Sequence, residues 1–265
     1  MITFIICVKH PDNCHSYDDT WKLLENTLDS VCNQTDKDYN VIVVSNKTLR
    51  RRNGIKFIEL NWSAPTLDDW QMSDDLKDRS NSKQMDNIRI DRGTKYIIGL
   101  KEARKRGLFS HFVMFVDADD FIHQDVAKFV NQNINFDMIR VFTGLKLGIN
   151  NTFKFRKRFN YICGTCNIIN IQLISSRINF SLIDEKDQST VLQCVDEDYL
   201  KIIIGSHKWM YRFFVEDRGN YGTDIPFPAA VYNCSHNEQH SGTPDEVHDL
   251  VLSKKQIKEF NIKYI

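Results

Sequence analysis

Apolar residues gather along the first half of this chain in short unbroken runs. Residues 1–9 (Met1-Ile2-Thr3-Phe4-Ile5-Ile6-Cys7-Val8-Lys9), 39–44 and 111–116 are rich in β-branched and aromatic side chains and do not alternate with polar ones. Such runs predict strands covered on both faces, as in a parallel sheet between helix layers. Residues 55–60 do alternate and predict a third, outer strand. Between the runs, Trp21, Leu24, Leu28 and Val31 recur at three- and four-residue steps. They predict a helix capped by Ser16 with Asp19 and ended at Asn33-Gln34-Thr35. Ile90, Ile97, Ile98 and Leu100 predict a second helix over 88–105, running through Gly107 into the 111–116 strand. Strand–helix–strand order implies crossover connections and a parallel sheet.

The second half is less regular. Residues 137–142 and 168–171 predict strands, 199–204 a short helix opened by Asp196-Glu197-Asp198, and 209–215 another strand. Thr243-Pro244-Asp245-Glu246 has the cap, first-position proline and acid of a helix start, predicting a helix over 247–260. Residues 61–86 form a long polar connection, of the length that usually carries function. With no internal repeat or low-complexity linker, one α/β domain with two lobes is expected, divided near residue 124.

Composition narrows the classes. The 265 residues hold 35 basic and 35 acidic side chains at a pI near 7.1, against the basic bias of a dedicated nucleic-acid binder. No stretch approaches the roughly 18 apolar residues of a membrane span, and the N-terminus lacks a basic lead-in and cleavage site. Seven cysteines, an odd number without framework spacing, predict free thiols in a reducing cytoplasm. Cys163 and Cys166 lack the second pair that a zinc knuckle needs.

Candidate chemistry centres on Asp117-Ala118-Asp119, which follows the third buried run. That run should end at the carboxyl edge of the sheet, where open α/β folds bind ligands. In extended chain Asp117 and Asp119 point the same way and can converge on one hard cation, with Ala118 facing away. An ion held by one or two carboxylates completes its shell with phosphates and water. A metal–diphosphate site is therefore expected, the alternative being a strand followed by an acidic loop.

These features together resemble family 2 glycosyltransferases with the GT-A fold. The resemblance rests on Leu28-Asp29-Ser30-Val31-Cys32-Asn33-Gln34-Thr35 followed by the 39–44 strand, and on the strand entering Asp117-Ala118-Asp119-Asp120. It implies a single GT-A, Rossmann-like domain, with a mostly parallel central sheet flanked by helices and a smaller acceptor-side lobe. Residues 1–124 would bind the nucleotide sugar and 125–265 the acceptor. It implies that Asp119 ligates Mn²⁺ or Mg²⁺ bridging the donor's two phosphates, that Asp117 touches the ribose or the metal, and that Val8 and Ala118 lie beside the donor. The implied acceptor-side base is Asp198, next to Glu197, to draw the proton from a sugar hydroxyl. Acids in a first helical turn are also favoured by the helix dipole alone. His236 resembles the family's C-terminal histidine ligand, with His240 the runner-up.

Asp91, Arg92 and Lys95 share one stretch of the second helix. Asp91 and Lys95 are either a surface ion pair or, respectively, contacts to donor hydroxyls and to the diphosphate. Gly164 and Thr165 are candidates for close backbone approach to a sugar. The chain departs from the family in ending its second strand with Ser45-Asn46-Lys47 rather than acids, so uridine is favoured by resemblance only. The activity implied is a metal-dependent, inverting transfer from a nucleotide-diphosphate sugar to a glycan or lipid-linked saccharide. The alternatives are a sugar nucleotidyltransferase and a non-catalytic carbohydrate-binding module. The basic-aromatic segment 154–159 is either a solvated face or a peripheral contact with the inner membrane surface.

Overall fold

The computed structural model describes residues 1–65, 83–105, 111–148, 152–236 and 252–262. The unbroken apolar runs are the centre of a seven-stranded sheet. β1 (Ile2–Cys7) pairs in parallel with both β2 (Tyr39–Ser45) and β4 (Phe112–Asp117), and β3 (Lys56–Glu59) adds in parallel at the β2 edge. Burial on both faces is complete in β4. Phe112, Met114 and Val116 enter one core while Val113 and Phe115 enter the other. The first core lies under α1 (Tyr17–Val31), whose Trp21, Leu24, Leu28 and Val31 all face it. Ser16 caps α1 by accepting from the Asp19 amide, as its spacing predicts. The second core lies under the long helix α2 (Lys83–Lys105), which contributes Ile97, Ile98 and Leu100.

Chain beyond residue 124 extends the same sheet. β6 (Met138–Arg140), β9 (Asn167–Asn170) and β10 (Gly222–Asp224) complete the order β10-β6-β9-β4-β1-β2-β3. Only β9 runs antiparallel to its neighbours, so the sheet is mixed but mostly parallel. A second sheet has the order β5-β11-β7-β8, from β5 (Phe121–Ile122), β7 (Thr143–Leu147), β8 (Phe153–Lys157) and β11 (Ala230–Asn233). This is the α/β architecture expected of the sequence.

One expectation needs correction. Residues 210–216 are helical, with a π-helical turn at Arg212–Glu216, where 209–215 was expected to be a strand. Met210 and Phe214, four apart, are the buried pair there, so the helical period prevails over strand-forming side chains. The basic-aromatic segment is strand β8 and its exit: Phe153 and Phe159 are core, and even Lys154 is buried. Of its aromatics only Phe155 is exposed. The predicted helix start at Thr243 lies outside the described residues, and the helix found nearby, Lys254–Glu259, is capped by Ser253 with Gln256. Among the described residues no helix is long and apolar enough to cross a membrane. All seven cysteines are free.

The Ser30–Thr35 phrase has a structural reason. Ser30 Oγ accepts from the Ile122 amide at 2.6 Å and donates to the Ile122 carbonyl at 2.9 Å. Gln34, fully buried, donates to the His123 carbonyl at 3.1 Å and accepts from the Ala127 amide at 2.8 Å. Thr35 binds Asp125 at 2.7 Å. The end of α1 thereby fixes the chain that leaves Asp120. Gln34→Leu strands the buried Ala127 amide, while the His123 carbonyl keeps the Val126 amide at 3.2 Å. Urea denaturation should show Gln34→Leu less stable by about 1–3 kcal/mol, while Gln34→Glu, which keeps an acceptor for that amide, loses less.

Candidate functional site

A cleft opens where β1 and β4 end. Its floor is Cys7, Val8 and Asp117, one wall is Asp91, Arg92 and Lys95 of α2, and Ala118, Asp119, Gly164, His207 and Tyr232 complete it. The sheet's parallel register places Cys7 opposite both Val44 and Asp117, so the two strands end at one level. That is the carboxyl edge at which such folds take ligands.

The two carboxylates of the Asp-x-Asp motif both line this cleft. The strand ends at Asp117, and Ala118 and Asp119 lie in a turn closed by the Asp120 amide on the Asp117 carbonyl at 3.3 Å. The two-residue period of extended chain stops at that turn. Asp117 turns to Arg92, 2.6 Å away. Asp119 turns to His236, with Oδ2 3.0 Å from Nε2.

Arg92 is held from several sides. Its Nε donates to Tyr96 Oη at 3.2 Å, and Tyr96 stacks on Phe115 with ring centroids 4.1 Å apart. Burial opposes the guanidinium charge, but Asp117 beside it more than offsets this and raises its pKa. Burial pushes the Asp117 carboxyl up, with Arg92 pulling it down and Asp119 pushing it further up. The Gly164 amide also donates to Asp117. A Cβ at Gly164 would fall inside the Arg92 guanidinium and the Asp117 carboxylate, so this close approach requires glycine. Thr165 is buried one layer down. It accepts from the Asp117 amide at 2.9 Å and donates to Asp120 at 2.5 Å.

Asp91 and Lys95 are not a surface pair. Lys95 is fully buried, with Nζ 2.7 Å from Asp91 Oδ2 and donating to the Val8 carbonyl at 3.0 Å. The Val8 amide donates to Val44 at 2.9 Å, so Lys95 ties α2 to the end of β1. Buried ion pairs of this kind cost much to break from one side.

The acceptor-side candidates stand elsewhere. Asp196 caps its helical turn by accepting from the Tyr199 amide at 2.9 Å, and Glu197 pairs with Lys201 at 3.0 Å. Asp198 is exposed at the start of the π-helical turn Tyr199–Ile204 and is not part of the cleft lining. Lys201 links this turn to Asp86 in the first turn of α2 at 3.2 Å. His240 lies outside the described residues.

Sequence reasoning missed three residues here. Asp120 is fully buried and accepts from Thr165, from Cys163 Sγ at 3.1 Å and from the Asn233 amide at 3.1 Å. Burial, then Asp119 and Asp117, push its carboxyl well up. Its signal was a third acid in a run of four residues that only a turn could explain. His10 is a latch: its Nδ1 accepts from the Asp12 amide at 3.1 Å, so Nε2 carries the proton to the Trp62 carbonyl at 3.2 Å. His207 lines the cleft with nothing in the sequence to mark it.

Among the described residues no three His, Cys, Asp or Glu side chains gather to hold a metal ion. Asp119 and His236, in contact at 3.0 Å, are the pair that could hold one. Octahedral ligands about 2.1 Å from an ion stand about 3 Å apart when adjacent, which the 3.0 Å separation matches. A carboxylate with an imidazole suits Mn²⁺, and phosphates and water would supply the remaining positions.

No family model matches the chain, nor does any curated protein. Among solved structures it is similar to S. aureus TarS 1–349, with 15% identity over 88% of this chain and 60% of that one, at a TM-score of 0.43. The complex of that protein with UDP-GlcNAc gives 14% identity over 89% and 59%, at 0.45. A manganese complex of Rv0371C from Mycobacterium tuberculosis H37Rv gives 9% identity over 87% and 90%, at 0.37. The chain spans about three fifths of the TarS chains it matches. Likeness at this level carries no activity from one protein to another.

The Gly164 contact yields a double-mutant test. Gly164→Ala should destabilise the protein by about 1–3 kcal/mol through overpacking. In an Arg92→Ala background the same change should cost measurably less, because the guanidinium it collides with is gone. Chemical denaturation of the four proteins reads the coupling.

Proposed function

We propose that this protein is a metal-dependent glycosyltransferase of the GT-A type, using a nucleotide-diphosphate sugar, with a UDP-sugar favoured. The observation that carries the reading is the Asp119–His236 pair, 3.0 Å apart, beside a cleft at the carboxyl edge of a parallel sheet. A bound Mn²⁺ or Mg²⁺ supplies Lewis-acid stabilisation of the departing diphosphate. Asp119 and His236 hold it. Arg92, fixed by Asp117 and Tyr96, directs a permanent positive charge at the same wall. Lys95 spends its donors on Asp91 and Val8, so its part is to keep Asp91 and the β1 end in place rather than to bind phosphate. Asp91 faces the cleft for donor hydroxyls.

Asp198 is the acceptor-side base in this reading. Motif order supports it, not proximity to the cleft; its exposure leaves it open to an acceptor arriving from solvent. One base without a carboxylate nucleophile corresponds to direct displacement and inversion at the anomeric carbon. The acceptor is a glycan or lipid-linked saccharide hydroxyl. A sugar nucleotidyltransferase would want a phosphate cradle after β1. The turn there gives its amides to itself: Asp12 to His10 Nδ1, Asn13 to the His10 carbonyl at 3.0 Å and Cys14 to the Pro11 carbonyl at 3.1 Å.

Two measurements test the reading. Isothermal titration with UDP should give binding in Mn²⁺ that is lost in EDTA and in Asp119→Ala; equal affinity in EDTA and Mn²⁺ rejects the metal role. Asp198→Asn should cut transfer by about 10²–10⁴ with UDP affinity unchanged. Unaltered turnover would return Asp198 to the helix start as a dipole partner only.

A further inference from the structure

Two arginines from separate segments meet over one aromatic ring outside the cleft. Arg218 Cζ stands 4.1 Å from the Phe213 ring centroid and Arg177 Cζ 5.5 Å from the same point. Arg177 is also 5.6 Å from the ring centroid of Tyr199, which lies 5.7 Å from Phe213. Both arginines are exposed. Their charges are within about 10 Å of each other, comparable to the screening length of physiological salt. Like charges at that range oppose each other, and neither side chain has an ion pair or hydrogen bond among the described residues.

The neighbouring acids are engaged elsewhere. Asp217 pairs with Arg212 at 3.6 Å, and Glu216 acts on Arg140 and Tyr211. Tyr199 senses both arginines and no acid: burial pushes its phenol up, while Arg177 and then Arg218 pull it down. Both backbones are held. After Arg218 the chain turns at Gly219, with φ +71° and its amide donating to the Val215 carbonyl at 3.0 Å. Asn220 Nδ2 donates to the Phe214 carbonyl at 2.7 Å. Beside Arg177, the Ile178 amide donates to the Ser175 carbonyl at 3.1 Å. A helix end by itself favours a nearby cation, but it does not bring two of them over one ring. None of Arg177, Tyr199, Phe213 and Arg218 lines the cleft.

The ligand chemistry follows from the two guanidinium forks. One fork already matches both oxygens of a carboxylate. A phosphate monoester has three terminal oxygens and close to two negative charges at neutral pH, so it can serve two forks at once. We propose that Arg177 and Arg218, arrayed over Phe213, form a binding site for a phosphate monoester, separate from the cleft. The site goes beyond the transferase reading and does not depend on it. A soluble phosphomonoester and a phosphatidate headgroup carry the same group.

The test follows the arginine Nε–Hε resonances of the ¹⁵N-labelled full chain as methyl phosphate is added at constant ionic strength. Arg177→Gln and Arg218→Gln assign the two signals, and circular dichroism confirms that these exposed substitutions leave the protein folded. Both signals should shift with one shared Kd, and acetate and dimethyl phosphate should bind at least tenfold more weakly. Removing either arginine should weaken methyl phosphate at the other about tenfold, the loss of a charge-assisted contact. Different affinities at the two arginines, acetate binding as well as methyl phosphate, or full affinity at Arg218 in Arg177→Gln overturns the site and leaves two helix-end cations. Vesicles of phosphatidylcholine with and without phosphatidic acid identify the source. Pelleting that needs both phosphatidic acid and the two arginines assigns a lipid headgroup, and methyl phosphate binding without pelleting assigns a soluble phosphomonoester. UDP affinity with Mn²⁺ should stay within twofold in the double variant, whereas failure of UDP to bind the unaltered protein strikes the transferase reading alone.

Discussion

The carboxyl group of Asp120 holds the site together. It is fully buried beneath the turn that carries Asp119, and its two oxygens are shared among Thr165, Cys163 and the Asn233 amide. Those three donors come from two places: the loop before β9 supplies two and the end of β11 the third. A buried carboxyl without partners would cost far more than the turn could repay, so the turn, the loop and the strand must sit where they do. Gly164 then meets Asp117, and His236, three residues beyond Asn233, comes to Asp119.

Around that anchor the cleft separates its charges. Each acid has its own partner: Arg92 for Asp117, His236 for Asp119, Lys95 for Asp91. A diphosphate approaching Asp117 and Asp119 meets two carboxylates at the same edge. Arg92 alone cannot balance both, since its charge is already engaged by Asp117. A divalent ion held by Asp119 and His236, as proposed above, would reverse the sign of the field locally, since a bound ion is the largest local charge at such a site.

The helix α2 does three things within three turns, being buried all round from 93 to 100. Ile97, Ile98 and Leu100 pack it on the sheet, Lys95 pins it to Val8, and Arg92 reaches across to Asp117. Arg92 and Tyr96, four apart, reach Asp117 together because residues at that spacing share a helix face. Packing and polar function are thus set by the same register. A shift of the helix by one residue would lose both.

Periodicity alone revealed the parallel core. Unbroken runs at β1, β2 and β4 and a three-and-four beat in α1 are consequences of burial on two faces or one, and burial is a property each segment carries locally. The Asp-x-Asp motif and its place at the sheet edge were legible for the same reason. The side toward which each acid turns was not, because it depends on a turn closing at Asp120 and on donors more than 40 residues away in the chain. The 209–215 segment misled because its aromatics suit a strand or a helix, and only packing of Met210 and Phe214 into the second core chose between them. His207 carried no signal at all. A lone histidine becomes chemically distinct only when tertiary structure buries one nitrogen, occupies the other and sets a cationic arginine nearby.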